Sequence, residues 1–203
     1  MKLPEHLAFS FVLAHLGPQQ EFGAVGAGLV IAAGMLPDLD GLTVLGGWRW
    51  HRSYHRVIGH GLPLTIGGPL VLAFVGVWLL PAASFSLLWC WLQLALLAHL
   101  LTDIVFYRWP VQWLWPISSR GLGLGRVAWN DLAPTAILYG GTALLMVWPR
   151  FDIAAWTLFA FGGYLVWCAA QPLPRSPVGA WLTGAWASRS PRWFRWLTGD
   201  FVT

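Results

Sequence analysis

The sequence predicts an all-α fold: a polytopic membrane helix bundle of about six apolar segments, followed by an interfacial segment at the C-terminal end. Three observations carry this. Of the 203 residues, 57% are hydrophobic and only 10% charged, where a soluble domain carries about 25% charged residues. The apolar residues are gathered in long runs, and a run of roughly 20 is what a hydrocarbon core demands of a helix. Those runs do not alternate: Leu70 to Leu80 and Leu87 to Leu101 are apolar at nearly every position, whereas strands of a membrane barrel alternate over about ten residues.

The segments run approximately Pro4–Leu16, Phe22–Leu36, Leu62–Leu80, Phe85–Tyr107, Val127–Trp148 and Phe151–Ala170. The first two are short. Gly17-Pro18-Gln19-Gln20 is a turn signal between them, so they form either a tight hairpin that crosses or a re-entrant pair that dips in and returns. Lys2 ahead of an apolar stretch resembles a secretory signal only superficially, because Glu5 and His6 stand where the basic region belongs and more spans follow. Gly121-Leu122-Gly123-Leu124-Gly125 lacks both a preceding strand and a Gly-Lys-Ser/Thr ending, and reads as a connector rather than a phosphate loop. Residues 1–171 are the expected membrane domain. Residues 172–203, where Trp181, Trp186, Trp193 and Trp196 mix with arginines, form the expected interfacial tail.

Charge sets orientation. Of the 12 basic residues, all but Arg150 fall in the connections on the side where the chain starts, and basic residues accumulate in short cytoplasmic loops. Both termini are therefore expected in the cytoplasm. The net charge of +4 is spread over these loops instead of forming one dense stripe, which argues against a nucleic-acid partner. Cys90 and Cys168 each stand alone in an apolar run and read as packing residues.

Ionisable groups near membrane depth are costly, and each is a functional hypothesis. Segment parity brings four groups of them to one face. His6 stands at the entry of the first segment. Asp38 and Asp40 leave the second, in Leu36-Pro37-Asp38-Leu39-Asp40; if that stretch is extended, residues two apart point the same way and both carboxylates face one ion. His51, His55 and His60 follow. On a regular helix His55 and His60 would stand about 140° apart, so joint ligation needs a break, which Gly59 and Gly61 make easy. His99 and Asp103 close the fourth segment on one helix face. His15 falls toward the opposite side, His51 reads as a loop residue, and Asp131 reads as a helix N-terminal charge. Imidazoles with carboxylates and no thiolates suit zinc first, with manganese or iron as alternatives, and one or two ions. Arg56 offers forked donors to a phosphate.

The order His6, Leu36-Pro37-Asp38-Leu39-Asp40, His55-Arg56-Val57-Ile58-Gly59-His60 and His99-Leu100-Leu101-Thr102-Asp103 resembles the YdjM-like bacterial inner-membrane proteins, described as predicted metal-dependent hydrolases. The resemblance covers roughly the first half of the chain. It implies His6, Asp38, Asp40, His55, His60, His99 and Asp103 as metal ligands, with Asp38, Asp40, His60 and Arg56 in catalysis and Arg56 on phosphate. Gly59 and Gly61 depart from the family's usual Thr and Ser, which removes any role for hydroxyls there. The expected activity is hydrolysis at the cytoplasmic face of the bacterial inner membrane, on a phosphoester or ester of a lipid or lipid-linked substrate. A metal transporter or sensor is the alternative, although the outer halves of the spans offer little beyond His15, Glu21 and Gln93. A non-catalytic, metal-stabilised membrane protein is the third.

Overall fold

The computed structural model describes residues 2–107, 110–128 and 131–170. The tail expected over 172–203, with its tryptophans and arginines, lies outside the described residues, as does Arg108. The described chain is a helical bundle: α1 (Leu3–Ala14), α2 (Pro18–Met35), a 3-10 helix (Pro37–Gly46), α3 (Trp48–Tyr54), α4 (Leu62–Leu79), α5 (Phe85–Val105), α6 (Leu132–Val147) and α7 (Phe151–Ala170). Its strands are a two-residue parallel pair, β1 (Phe106–Tyr107) with β2 (Val127–Ala128).

Helices α4, α5 and α7 are each long and apolar enough to cross a membrane, and α2 with the 3-10 helix makes a fourth if that pair, bent by 56°, is one span. Helices α1 and α6 are apolar but shorter. Outward-facing residues of α4 and α7, among them Ile66, Val71, Phe74, Trp156 and Phe159, are exposed, as a lipid-facing surface requires when the solvent is hydrocarbon.

Twelve residues at about 1.5 Å each cannot cross a hydrocarbon core, and α1 serves instead as the inner helix. It packs on α2, α5, α6 and α7. Its Ala8, Phe9, Leu13 and Ala14 join Val30 and Ala33 of α2, Leu88, Leu92 and Ala95 of α5, Leu138 of α6 and Phe161 of α7 in one core. Pro4 sits in the first turn of α1, where a missing N–H costs nothing, and the backbone N–H of Lys2 donates to the Glu5 carboxylate at 2.9 Å. Pro18 opens α2 earlier than the apolar run suggests, and Gly23, at φ 64°, kinks it. Where the sixteen-residue α6 begins, Asp131 accepts a hydrogen bond from the Ala133 amide at 3.1 Å. That is the N-terminal role its sequence position implied. Tyr164 of α7 donates to the same carboxylate at 2.6 Å, tying the last two helices together. Cys168 packs in the core, but Cys90 is exposed on the outside of α5.

Two local expectations change. Asp38 and Asp40 lie in a 3-10 helix, not an extended strand. Residues two apart in such a helix diverge by about 120°, so the carboxylates serve different partners. The loop that follows contains α3, and the chain breaks at its end through Arg56, whose φ is 63°, rather than at Gly59 or Gly61.

Gly34 lets α1 and α2 approach closely: a Cβ there would collide with the Ser10 hydroxyl. Gly34→Ala is expected to lower stability by about 1–3 kcal/mol, the usual cost of overpacking. A companion Ser10→Gly should recover most of it. Thermal unfolding of the purified variants in detergent checks this, and equal midpoints for wild type and Gly34→Ala would refute the packing argument.

Candidate metal centre

Helix α5 carries the site's foundation. His99 and Asp103 lie one turn apart, both buried, with His99 Nε2 3.8 Å from an Asp103 carboxylate oxygen. The other ring nitrogen, Nδ1, bonds the Gly34 carbonyl at 2.6 Å. A carbonyl accepts only, so Nδ1 carries the proton, and in the neutral ring Nε2 holds a lone pair. That lone pair faces Asp38 Oδ1 and Asp103 Oδ2, each 3.8 Å away. A buried lone pair with a carboxylate oxygen on either hand is unfavourable unless something positive lies close by.

His6, from α1, stacks on His99 with ring centres 3.6 Å apart. Its Nε2 reaches Asp103 Oδ1 at 3.1 Å. The Asp103 carboxylate also accepts from Arg56 Nη2 at 2.9 Å and meets His60 Nε2 at 3.1 Å. One buried charge thus gathers side chains from α1, α5 and the turn between α3 and α4.

Asp40 organises that turn. Its Oδ1 bonds His55 Nδ1 at 2.7 Å, and its Oδ2 takes the Arg56 amide at 2.7 Å and His60 Nδ1 at 3.0 Å. His60 therefore bridges Asp40 and Asp103. Burial alone would push its imidazole below the usual histidine value, but the hydrogen bonds to Asp103 and Asp40 outweigh it and raise the pKa. The turn can sit this close because residue 59 is glycine. A Cβ there would strike the Pro37 carbonyl and come within 2.9 Å of Asp40 Oδ2. The Arg56 carbonyl is held by the Gln112 amide at 3.1 Å, and the Leu62 amide by the Trp115 carbonyl at 3.0 Å. The 110–117 segment therefore braces the turn from outside.

The expected residues separate into two layers. His6, Asp38 and His99 form one group, and His60, His99 and Asp103 another; in each, one ligand atom per residue lies within 4.8 Å of the others. Asp40 and His55 belong to neither group and stand behind them, hydrogen-bonded to each other. Arg56 is buried against Asp103. His51 contacts the Thr43 hydroxyl at 3.3 Å and stacks on His55. His15 bonds the Phe11 carbonyl at 2.8 Å, away from the cluster as expected. Two contributors had no sequence signal: the Gly34 carbonyl that sets the His99 tautomer, and the Gln112 amide that braces Arg56. Backbone groups carry no residue identity for a sequence to display.

The residues fit a cation. Among the described residues His6 Nδ1, Asp38 Oδ2 and His99 Nε2 are buried without a hydrogen-bond partner, one atom from each member of the first group. Buried polar atoms are ordinarily paired, and an unpartnered atom on each of three residues that group from three elements describes a place for a positive charge. Nitrogen and carboxylate donors without thiolate match a divalent ion of the zinc, manganese or iron kind.

The family described as YdjM inner membrane protein matches residues 1–174. A curated relative, the uncharacterized protein YfhP of Bacillus subtilis (strain 168), is 27% identical over 143 residues, covering 67% of this chain and 42% of the relative. The chain thus spans under half the length of that relative. No solved structure matches it.

Asp103→Asn keeps the shape and removes the charge that Arg56, His6 and His60 share. A buried ion pair broken by removal of one partner costs about 3–5 kcal/mol, and a loss of that size is expected in thermal or denaturant unfolding. A change below about 1 kcal/mol, the range of an exposed pair, would mean that the carboxylate does not hold the cluster together.

Proposed function

The chain belongs to the YdjM inner membrane protein family, and from that premise we propose that it is a metal-dependent hydrolase of the cytoplasmic membrane face, acting on a phosphoester or ester bond of a lipid or lipid-linked molecule. The reading is carried by the grouping of His6, Asp38 and His99, each with an unpartnered buried polar atom, and by the buried Arg56–Asp103 pair.

His6, Asp38, His60, His99 and Asp103 would hold the ion, zinc first and manganese or iron next. When bound, a divalent ion supplies an acidified water and a Lewis acid for a phosphoryl or acyl oxygen. Asp40 is a positioning residue. Its bond to His60 Nδ1 leaves Nε2 aimed at the Asp103 side, the carboxylate–histidine arrangement that orients metal-binding imidazoles. Ligation through that Nε2 requires its proton to leave, so metal affinity should fall with acidification through the histidine range. Arg56 brings a guanidinium to the same carboxylate and can pair with a phosphate oxygen. The orientation with both termini cytoplasmic follows from the distribution of basic residues.

A second reading, an ion that only rigidifies the fold, is favoured by the near-complete burial of His6, His60, His99 and Asp103. The two part in one experiment. Purified protein with and without chelator is offered a panel of phospholipids and lipid phosphates, with metal content read by elemental analysis. Metal-dependent turnover is expected, lost in Asp38→Asn with the fold retained. Metal bound without turnover on any substrate would favour the structural ion, and protein without stoichiometric metal would overturn both.

Asp40→Asn separates positioning from ligation. It is expected to weaken metal affinity by about 10–100-fold, the usual effect of removing an outer partner of a ligand. Asp38→Asn removes a donor outright and should cost more. Competitive titration against a metal-sensitive dye gives both values, and a larger loss at Asp40 than at Asp38 would reverse the assignment.

A further inference from the structure

The 3-10 helix Pro37–Gly46 is longer than such helices usually run, and its buried and exposed side chains recur with a period of three, with Val44 on the third face also exposed. Pro37 and Asp40 are buried, and Thr43, next on that face, bonds the Asp40 carbonyl at 2.5 Å. Leu39, Leu42 and Leu45 share another face and are 56%, 61% and 84% exposed. At three residues per turn these leucines eclipse into one ridge. The core does not need them.

Three observations say what covers the ridge. First, depth: Asp38, at the start of this helix, faces His99, and His99 and Asp103 occupy the last turns of the span α5. Leu101 on those same turns is exposed. The 3-10 helix therefore begins level with the end of a span, in continuity with the lipid-facing surface. Second, direction: the 56° bend after α2 turns the chain away from the line of that helix at this level. Third, the flanks: Trp50 and Tyr54 of α3 are exposed with rings 5.3 Å apart, and Arg49 beside them is exposed. Tryptophan and tyrosine favour the headgroup zone and arginine favours anionic lipid.

We propose that the 3-10 helix lies in the bilayer surface at the site's end of the bundle, its Leu39–Leu42–Leu45 ridge inserted among the acyl chains and its Asp40–Thr43 face toward the protein. The occupant of the apolar face is the lipid leaflet. The helix behaves as an amphipathic interfacial element, built on a 3-10 rather than an α period, and it fixes the carboxylate cluster at headgroup depth. This goes beyond the hydrolase reading and does not rest on it.

The test uses the full chain in nanodiscs of phosphatidylcholine and phosphatidylglycerol, in a Cys90→Ala, Cys168→Ala background. Nitroxide labels are placed through Leu42→Cys and Leu45→Cys, with Val71→Cys on the outward face of α4 as the lipid reference and Ser119→Cys, exposed in the connection between α5 and α6, as the aqueous reference. Power saturation compares access of oxygen with access of a water-soluble nickel chelate. For an inserted ridge the oxygen-to-nickel ratio at 42 and 45 should exceed that at Ser119 by about threefold or more and approach that at Val71. A smaller ratio overturns the proposal. Shielding from both reagents also overturns it, since a second copy or another protein would then cover the ridge. The readout is independent of turnover, and variants whose background changes the thermal transition are replaced by Leu39→Cys in the single Cys90→Ala chain, where Cys168 is buried.

Discussion

A carboxylate at the end of a membrane helix is the constraint around which this protein is arranged. Asp103 is almost fully buried, and an isolated charge there would be costly enough to be driven to its neutral form. What keeps it tolerable is the company it gathers: His6 from the first helix, Arg56 and His60 from the turn before α4, and His99 one turn away. The same requirement explains why a short helix that cannot cross the bilayer occupies the middle of the bundle. Helix α1 carries His6 to the cluster while its apolar residues fill the core.

The second layer shows how precision is maintained in a segment with little regular structure. Asp40 spends both oxygens on the turn, holding two histidines and a backbone amide. Arg56 adopts a left-handed backbone uncommon for a residue with a side chain, and the bonds to Asp40 on one side and Gln112 on the other hold it there. Backbone outliers persist only where their surroundings over-determine them, and they cluster at functional sites. Gly59 lets the turn lie directly on the 3-10 helix. A residue with a Cβ would push the two apart and open the Asp40–His60 contact.

Much of the site was legible in the sequence. His6, Asp38, His60, His99 and Asp103 converge because successive apolar segments run up and down, so each pair returns the chain to the same end of the bundle whether or not both arms cross the bilayer. That pairing survives errors of several residues at helix ends. The shared helix face of His99 and Asp103 was legible for the same reason: a four-residue spacing on a long apolar run admits one geometry. The relation of Asp38 to Asp40 was not legible. Both an extended strand and a 3-10 helix suit a short proline-led stretch, and they differ in whether residues two apart agree or diverge. That choice decides that Asp38 faces His99 while Asp40 supports the turn.

The sequence alone determined the solvent and the ingredients: apolar runs too long and too continuous for water, and imidazoles and carboxylates too expensive to sit near a bilayer without partners. Only the tertiary structure decided the division of labour among them, which atoms are spent on hydrogen bonds and which are left facing one another. Those assignments depend on backbone carbonyls and amides such as Gly34 and Gln112, and on the close approach allowed by one glycine. Every residue carries those backbone groups alike, so their use is set by distances between segments far apart in the chain, which composition and spacing do not encode.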